Sequence, residues 1–283
     1  MLPSLQTIHF LISYGCSAEC DHCFVWGSPA RDAGFTVELV DEALDRIRSV
    51  ESIKAVCGEG GESFTRYPVL LHLLRRATQM GLGASALTNA SWVTSREVAQ
   101  HRIAELRQAG LTNLGVSTDE WHQKRVPVSR VDLLLEVCAE AGLQASRMET
   151  ALEGVMFRGR AAALLAPGRP TRPADQLTSC PHEQLAAPSR VHLDCYGRLH
   201  LCQGLVFGPS PLAEAIAAYD PSRHPIVSLL LAGGPYALAQ FAAARGFDIA
   251  PGYVDACHLC YRAREFLRPH YPDLLGPDEM YGV

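Results

Sequence analysis

At 283 residues the chain is long enough for one large α/β domain with a small appendage, and it can bury a core without needing its ten cysteines as staples. Its net charge of −5 argues against a nucleic-acid surface. The opening "MLPSLQTIHFLI" lacks the basic segment and cleavage site of a secretory signal, and the longest apolar runs read as shorter than a membrane span, so a reducing cytoplasm with no membrane partner is expected.

The first half alternates strands and helices. "TIHFLISYG" reads as a buried strand running into a cysteine-rich loop, and "TVELVDEALDRIRSV" as a helix capped by Thr36. "SIKAVCG" is a second strand ending in "GEGGES", followed by a helix over "YPVLLHLLRRATQMG" with proline in its first turn. "GASALTN", "NLGVSTD" and "LQASRMET" read as further strands, separated by helices over "SREVAQHRIAELRQAG" and "SRVDLLLEVCAEAG". "GRAAALLA" begins another helix. Repeated β–α units over residues 1–165 predict a parallel sheet and suggest a partial or full barrel, with the chemistry at the carboxyl ends of the strands. Residues 166–179 carry three prolines and no period, and read as a linker or crossing loop. Residues 180–283 form a small second module, starting with a β-hairpin around Tyr196-Gly197. Helices follow over "PLAEAIAAYD", "GPYALAQFAAARG" and "DACHLCYRAREFLRP".

In a reducing compartment, clustered cysteines read as metal or catalytic sites before disulfides. The loop "YGCSAECDHCFV" sets Cys16, Cys20 and Cys23 within eight positions. A structural zinc site wants four closed ligands. Three thiolates on a cubane iron–sulfur cluster leave one iron open to bind a substrate or cofactor. The alternative is a zinc ion completed by His22 or a distant residue.

This triplet, on the loop after the first strand of a β/α fold, resembles that of the radical S-adenosylmethionine (SAM) enzymes. "GEGGESF" resembles the second-strand "GGE" segment of that family. The resemblance implies that Gly60, Gly61 and Glu62 approach the methionine end of SAM, where glycines admit the backbone and a carboxylate can pair with an ammonium. Thr88 and Asn89 resemble the third-strand polar pair, and Ser117 and Asp119 the fourth-strand motif near ribose or substrate. His22 stands where an aromatic residue commonly packs on the adenine. The implied cofactors are SAM and a [4Fe–4S] cluster, fed by an external one-electron reductant such as flavodoxin or ferredoxin. Reductive cleavage of SAM would then give a 5′-deoxyadenosyl radical that attacks an unactivated C–H bond.

A second cysteine set comprises Cys180, Cys195, Cys202, Cys257 and Cys260. The Gly197-x4-Cys202 and Cys257-x2-Cys260 spacings resemble the auxiliary-cluster (twitch) module of the same superfamily. By that resemblance Cys180, Cys202, Cys257 and Cys260 hold a second [4Fe–4S] cluster, with zinc as the alternative. Cys195 is then the spare thiol, unless it ligates and Cys180 is free. Cys138 reads as core, and Cys57 as a second candidate thiol.

The family resemblance implies a partial (β/α)6 barrel with this appended module. A spare thiol could return a hydrogen atom to a substrate radical, which makes an epimerase the leading expectation. The layout resembles the epimerases and dehydrogenases of aminoglycoside and related carbohydrate antibiotic biosynthesis, which implies a carbohydrate-like or aminocyclitol substrate. Without a thiol donor, the auxiliary cluster could take the electron, and the enzyme would be a dehydrogenase making a ketone. A peptide-modifying enzyme is a further alternative. Only 15 residues precede Cys16, which favours a small polar substrate over a leader peptide. Glu120, His122, Arg147 and Glu149, at strand ends, are the candidate substrate contacts. A pure electron carrier would have no use for the "GGE" segment.

Overall fold

The computed structural model describes residue 2, residues 4–208 and residues 212–283. The β–α alternation is present: β1 (Thr7–Ser13), α1 (Val37–Ile47), β2 (Ala55–Gly60), α2 (Tyr67–Gln79), β3 (Gly83–Thr88), α3 (Arg96–Gln108), β4 (Asn113–Ser117), α4 (Glu120–Gln123), α5 (Val128–Glu140) and β5 (Gln144–Met148). Local chemistry sets the helix starts. Thr36 accepts a hydrogen bond from the Leu39 amide, Ser95 from Val98 and Asp119 from His122. Helix α1 buries Val40, Ala43, Leu44 and Ile47, one stripe at helical spacing.

Beyond β5 come α6 (Arg160–Leu164), β6 (Arg172–Pro173), β7 (Arg190–Leu193), β8 (Leu199–Cys202), β9 (Leu205–Val206), α7 (Leu212–Ala218), α8 (Pro225–Ala243), β10 (Gly252–Tyr253) and α9 (Ala256–Leu267). The main sheet has the order β5-β4-β3-β2-β1-β7-β8-β9. It is parallel from β5 to β7, and β8 and β9 are antiparallel additions. The architecture is thus a mixed α/β fold around a mostly parallel sheet, consistent with a partial barrel. The strand completing the parallel set is β7, which joins on the far side of β1. No periodicity could reveal that pairing.

The pleat divides the sheet into two faces. A side chain added at Gly58 would meet Leu70 of α2 at 2.5 Å and Ile12 at 3.7 Å, so that face carries the helices. His9, Glu59 and His192 share the opposite face, where they contact one another. The C-terminal hairpin turns at Tyr196-Gly197 as expected, with Gly197 at φ +77°. Within residues 166–179, β6 pairs with β10 and a 3₁₀ turn spans Ala174–Gln176.

Helix α8 extends well upstream of the expected segment. Its length and apolar composition would suffice to cross a membrane, which corrects the reading that no apolar run is that long. It leaves helical geometry at Gly233 and Gly234, buries Ile226, Val227, Leu230, Leu238, Ala239 and Ala242, and packs on α9.

Candidate active site

The cysteine loop is braced from outside itself. The Arg160 guanidinium, buried, donates to the carbonyls of Cys20 and Gly27, each at 2.9 Å, and its backbone amide donates to Cys23 O at 2.8 Å. Gly159, at φ +57°, lets this segment approach, since a Cβ there would lie 2.6 Å from the Cys23 carbonyl oxygen. The Cys16 sulfur accepts from the Ala18 amide at 3.3 Å and from Asn89 Nδ2 at 3.5 Å, and the Cys23 sulfur from the Gly27 amide at 3.2 Å. Burial pushes the Cys16 thiol up to about 12. All ten cysteines are free thiols, and Cys16, Cys20 and Cys23 line one cavity of about 350 Å³ at the carboxyl ends of the strands.

The "GGE" segment lies against the end of β1. Gly61 N donates to Ser13 O at 2.6 Å and Glu62 N to Gly15 O at 2.9 Å. A Cβ on Gly60 would sit 2.5 Å from Ser13 O, and one on Gly61 2.4 Å from Gly15 O, so neither position admits a side chain. Glu62 is buried, and its carboxylate accepts from Thr88 Oγ1 at 2.8 Å, Asn89 N at 2.7 Å and Phe64 N at 3.1 Å. Burial raises its pKa despite these donors. Glu62 therefore ties β2 to β3 within the chain itself. Gly60, Gly61, Glu62, Thr88, Asn89, Ser117 and Asp119 all line the cavity.

His22 also lines it, with its ring stacked on Trp121 at 4.6 Å between centroids. Burial depresses its pKa to about 4, so it is neutral near pH 7. His22 and His122 both approach Cys20, as a zinc site would require. Both are engaged by Asp119, at 3.5 Å from His22 Nε2 and 2.8 Å from His122 Nδ1. Burial works against the Asp119 charge, but His122 and His22 outweigh it and hold its pKa below the usual carboxylate value.

Of the candidate substrate contacts, only His122 lines the cavity. Glu120 and Glu149 are exposed and outside it. Arg147 points to the outer surface, where it pairs with Asp132 and donates to Thr118 Oγ1 at 3.3 Å. A strand-end position alone does not decide which way a side chain leaves the pleat. The cavity wall instead includes Glu59, Arg158, Arg190, His192 and Gln203. For two of them the signal was faint but present: Glu59 is the one carboxylate of β2, and His192 lies between the apolar Val191 and Leu193 of β7.

Cys180, Cys202, Cys257 and Cys260, drawn from three separate segments, line one narrow pocket. Two buried guanidiniums share it. Arg158 Nη1 lies 2.8 Å from the Cys202 sulfur, and Arg264 Nη1 donates to Gln203 O at 2.8 Å. Burial opposes both charges, but Cys202, Cys257 and Glu183 around Arg158, and Cys260, Tyr281 and Cys202 around Arg264, outweigh it, so both remain protonated.

Cys195 lies in neither place. It lines a separate cavity of about 440 Å³ with Phe35 and Leu39 beside α1. It sits in the turn that follows β7, and Leu193, the last residue of that strand, lines the same cavity. That corrects the expectation of a thiol facing the substrate. Cys57 is on the inward face, opposite His9 in the ladder, but is buried and does not reach the cavity. Cys138 is core, as expected.

A family model, the Radical SAM superfamily, matches residues 10–155. The chain is 24% identical over 131 residues to the "Putative peptide biosynthesis protein YydG" of Bacillus subtilis (strain 168), covering 46% of this chain and 41% of that one. It thus spans about two fifths of the length of that curated relative. Its fold is similar to that of BtrN in complex with AdoMet and 2-DOIA, with a TM-score of 0.50, 14% identity, and coverage of 72% of this chain and 77% of that chain. An open conformation of BtrN aligns with a TM-score of 0.49 and 11% identity, over 82% of this chain and 87% of that chain. The residues fit the [4Fe–4S] cluster and SAM that this family implies: three sulfurs from one loop face a cavity that also has "GGE" in its wall. Matched over more than half its length, the chain belongs to the radical SAM superfamily.

Proposed function

We propose that this chain is a radical SAM oxidoreductase, converting a secondary alcohol of a small polar substrate to a ketone. In this reading Cys180, Cys202, Cys257 and Cys260 hold a second [4Fe–4S] cluster that serves as electron acceptor. The observation that carries it is Arg158. This one buried side chain lies in the wall of the SAM cavity and also touches the Cys202 sulfur, so the two sites are neighbours. The two buried arginines favour an anionic group in the four-cysteine pocket, since an isolated buried cation is costly. A four-thiolate iron–sulfur cluster carries such charge.

An epimerase would need a hydrogen-atom donor in the cavity. Among the described residues that line it, the only cysteines are Cys16, Cys20 and Cys23, which the family pattern assigns to the cluster. Oxidation needs no such donor. When bound, SAM and the loop cluster supply the carbon radical that removes a hydrogen atom from the carbinol carbon. Glu59 and His192 face the side of the cavity toward which the hydroxyl proton would leave, and a cluster held by the four C-terminal cysteines would supply the acceptor for the one remaining electron as C=O forms. Arg160 and Asn89 fix the loop sulfurs, Glu62 locks the two strand ends, and Arg158, Arg190 and Gln203 offer hydrogen-bond donors to a hydroxyl-rich substrate. An external one-electron donor such as flavodoxin or ferredoxin would drive the cycle.

The test is anaerobic turnover in D2O of aminocyclitols and related polyols, read by mass spectrometry. Loss of two hydrogens without deuterium uptake is expected. A product of unchanged oxidation state carrying one deuterium would replace this reading with epimerisation. A second reading, a peptide substrate, is favoured by the similarity to YydG. A peptide panel in the same assay separates it from the first.

A further inference from the structure

Below the cavity, His9 of β1, Glu59 of β2 and His192 of β7 converge on one point. His9 Nδ1 lies 3.0 Å from Glu59 Oε2 and His192 Nε2 lies 2.8 Å from Glu59 Oε1. One ligand atom from each of the three falls within 4.8 Å of the other two. The ladder explains this convergence: His9 is the direct partner of His192, and Glu59 is two residues along the inward face from Cys57, the β2 partner of His9.

These distances alone would suit an imidazole–carboxylate–imidazole hydrogen-bond chain. One observation goes further. Among the described residues, Glu59 Oε1 is buried with no aligned hydrogen bond despite its 2.8 Å approach to His192 Nε2. Edges near 3 Å also match neighbouring ligands around an ion with bonds of about 2.0–2.2 Å. We infer that His9, Glu59 and His192 form a binding site for a first-row divalent cation, separate from both cysteine sets. Two imidazoles and one carboxylate suit zinc or ferrous iron and leave coordination positions open. Glu59 and His192 also line the cavity, so those positions face it, and an oxygen of the substrate can complete the coordination. Burial keeps His192 neutral, as a ligand must be. Arg190, the nearby cation, is drawn toward Glu183 at 3.9 Å. Gln203 Nε2, 3.4 Å from His192 Nε2, is the group the ion would displace. The site does not depend on the oxidation reading.

The probe is Zn2+, offered to the reconstituted protein with its iron–sulfur clusters in place. After dialysis, zinc is counted and its ligands are read by X-ray absorption. About one zinc per chain is expected, with nitrogen and oxygen neighbours at about 2.0–2.1 Å and no sulfur. Glu59→Gln and His192→Gln should each weaken zinc retention at least about tenfold while the cluster iron is unchanged. No retained zinc in the wild type, zinc with sulfur ligands only, or equal retention in both variants would overturn the site. The wild-type spectrum decides the matter even if a variant folds poorly. Because no turnover is measured, failure of the oxidation reading leaves this result untouched.

Discussion

The two cysteine sites are built in opposite ways. The first takes all its sulfurs from residues 16–23, so one loop brings them together and the rest of the fold only braces it. The second gathers residues 180, 202, 257 and 260, so it exists only once a hairpin, a helix and a crossing segment have packed. A local site can be emptied with little effect on the fold, whereas a dispersed site is a clasp across the module. The first site opens on a cavity, and the second is closed around two guanidiniums.

The sharpest test of this contrast is Cys257→Ala against the triple replacement of Cys16, Cys20 and Cys23 by alanine. If the four cysteines hold the proposed second cluster, Cys257→Ala should lose it and destabilise the C-terminal module by several kcal/mol, as when a structural metal is removed (on the order of 10 kcal/mol for zinc peptides). The triple variant should keep its fold by circular dichroism and limited proteolysis. Equal damage would erase the contrast.

Arg264→Met separates the charge from the clasp. In the cluster-free protein it replaces a buried cation that, among the described residues, has no carboxylate partner within salt-bridge distance, so stability should rise, by about 1–4 kcal/mol. In the loaded protein the same change removes the counter-charge and should speed cluster loss under chelator. A stabilising effect in both states would deny an anionic occupant.

Gly61→Ala probes the local site, with a Cβ only 2.4 Å from Gly15 O. It should cost about 1–3 kcal/mol by urea unfolding and abolish SAM binding, while leaving the second cluster intact. Cys195→Ala should cost about 1 kcal/mol and, on the proposed assignment, leave the iron content unchanged, because Cys195 lines a cavity apart from both cysteine sets. Loss of iron in that variant would exchange its role with that of Cys180.

The smallest effect concerns two helix caps. His224 Nδ1 accepts from the amides of Ile226 and Val227, its Nε2 donates to Val206 O at 2.8 Å, and burial lowers its pKa. The unfolded chain therefore takes up a proton that the native state resists. The stability His224 contributes is present above the unfolded value of about 6.5 and falls below it, by at most about 1.4 kcal/mol per pH unit. His224→Asn should flatten that dependence as the pH falls from about 7 through the unfolded value of about 6.5 and below, in urea titrations. Thr36, whose hydroxyl does not titrate, should give no such slope on replacement by alanine.

Most of this contrast could be read from the sequence because its pieces are local. Cys16, Cys20, Cys23, "GGE" and the caps Thr36 and Ser95 act within a few residues of themselves. The second cysteine set was grouped by family spacing, and Cys180, Cys202, Cys257 and Cys260 line one pocket. What could not be read depends on long-range pairing. That β7 lies beside β1 brings His192 to His9 and Glu59, and no window of sequence holds all three. The turn after β7 set Cys195 against another cavity, the pleat of β5 sent Arg147 to the outer side, and Glu149 is exposed in the loop beyond it.

Gly234 in α8 carries a further consequence. A Cβ there would sit 2.1 Å from the Thr178 carbonyl carbon, and two residues on, Tyr236 N donates to Leu177 O at 3.0 Å. The break in α8 is therefore the seat against which the strand of chain leading to Cys180 rests. In a library of every single substitution, selected for a brown protein, this glycine should prove as intolerant as the cysteine it holds in place, although it has no side chain to offer. Neighbouring Gly233, whose added Cβ meets only Ala237 at 3.0 Å, should accept alanine far more readily.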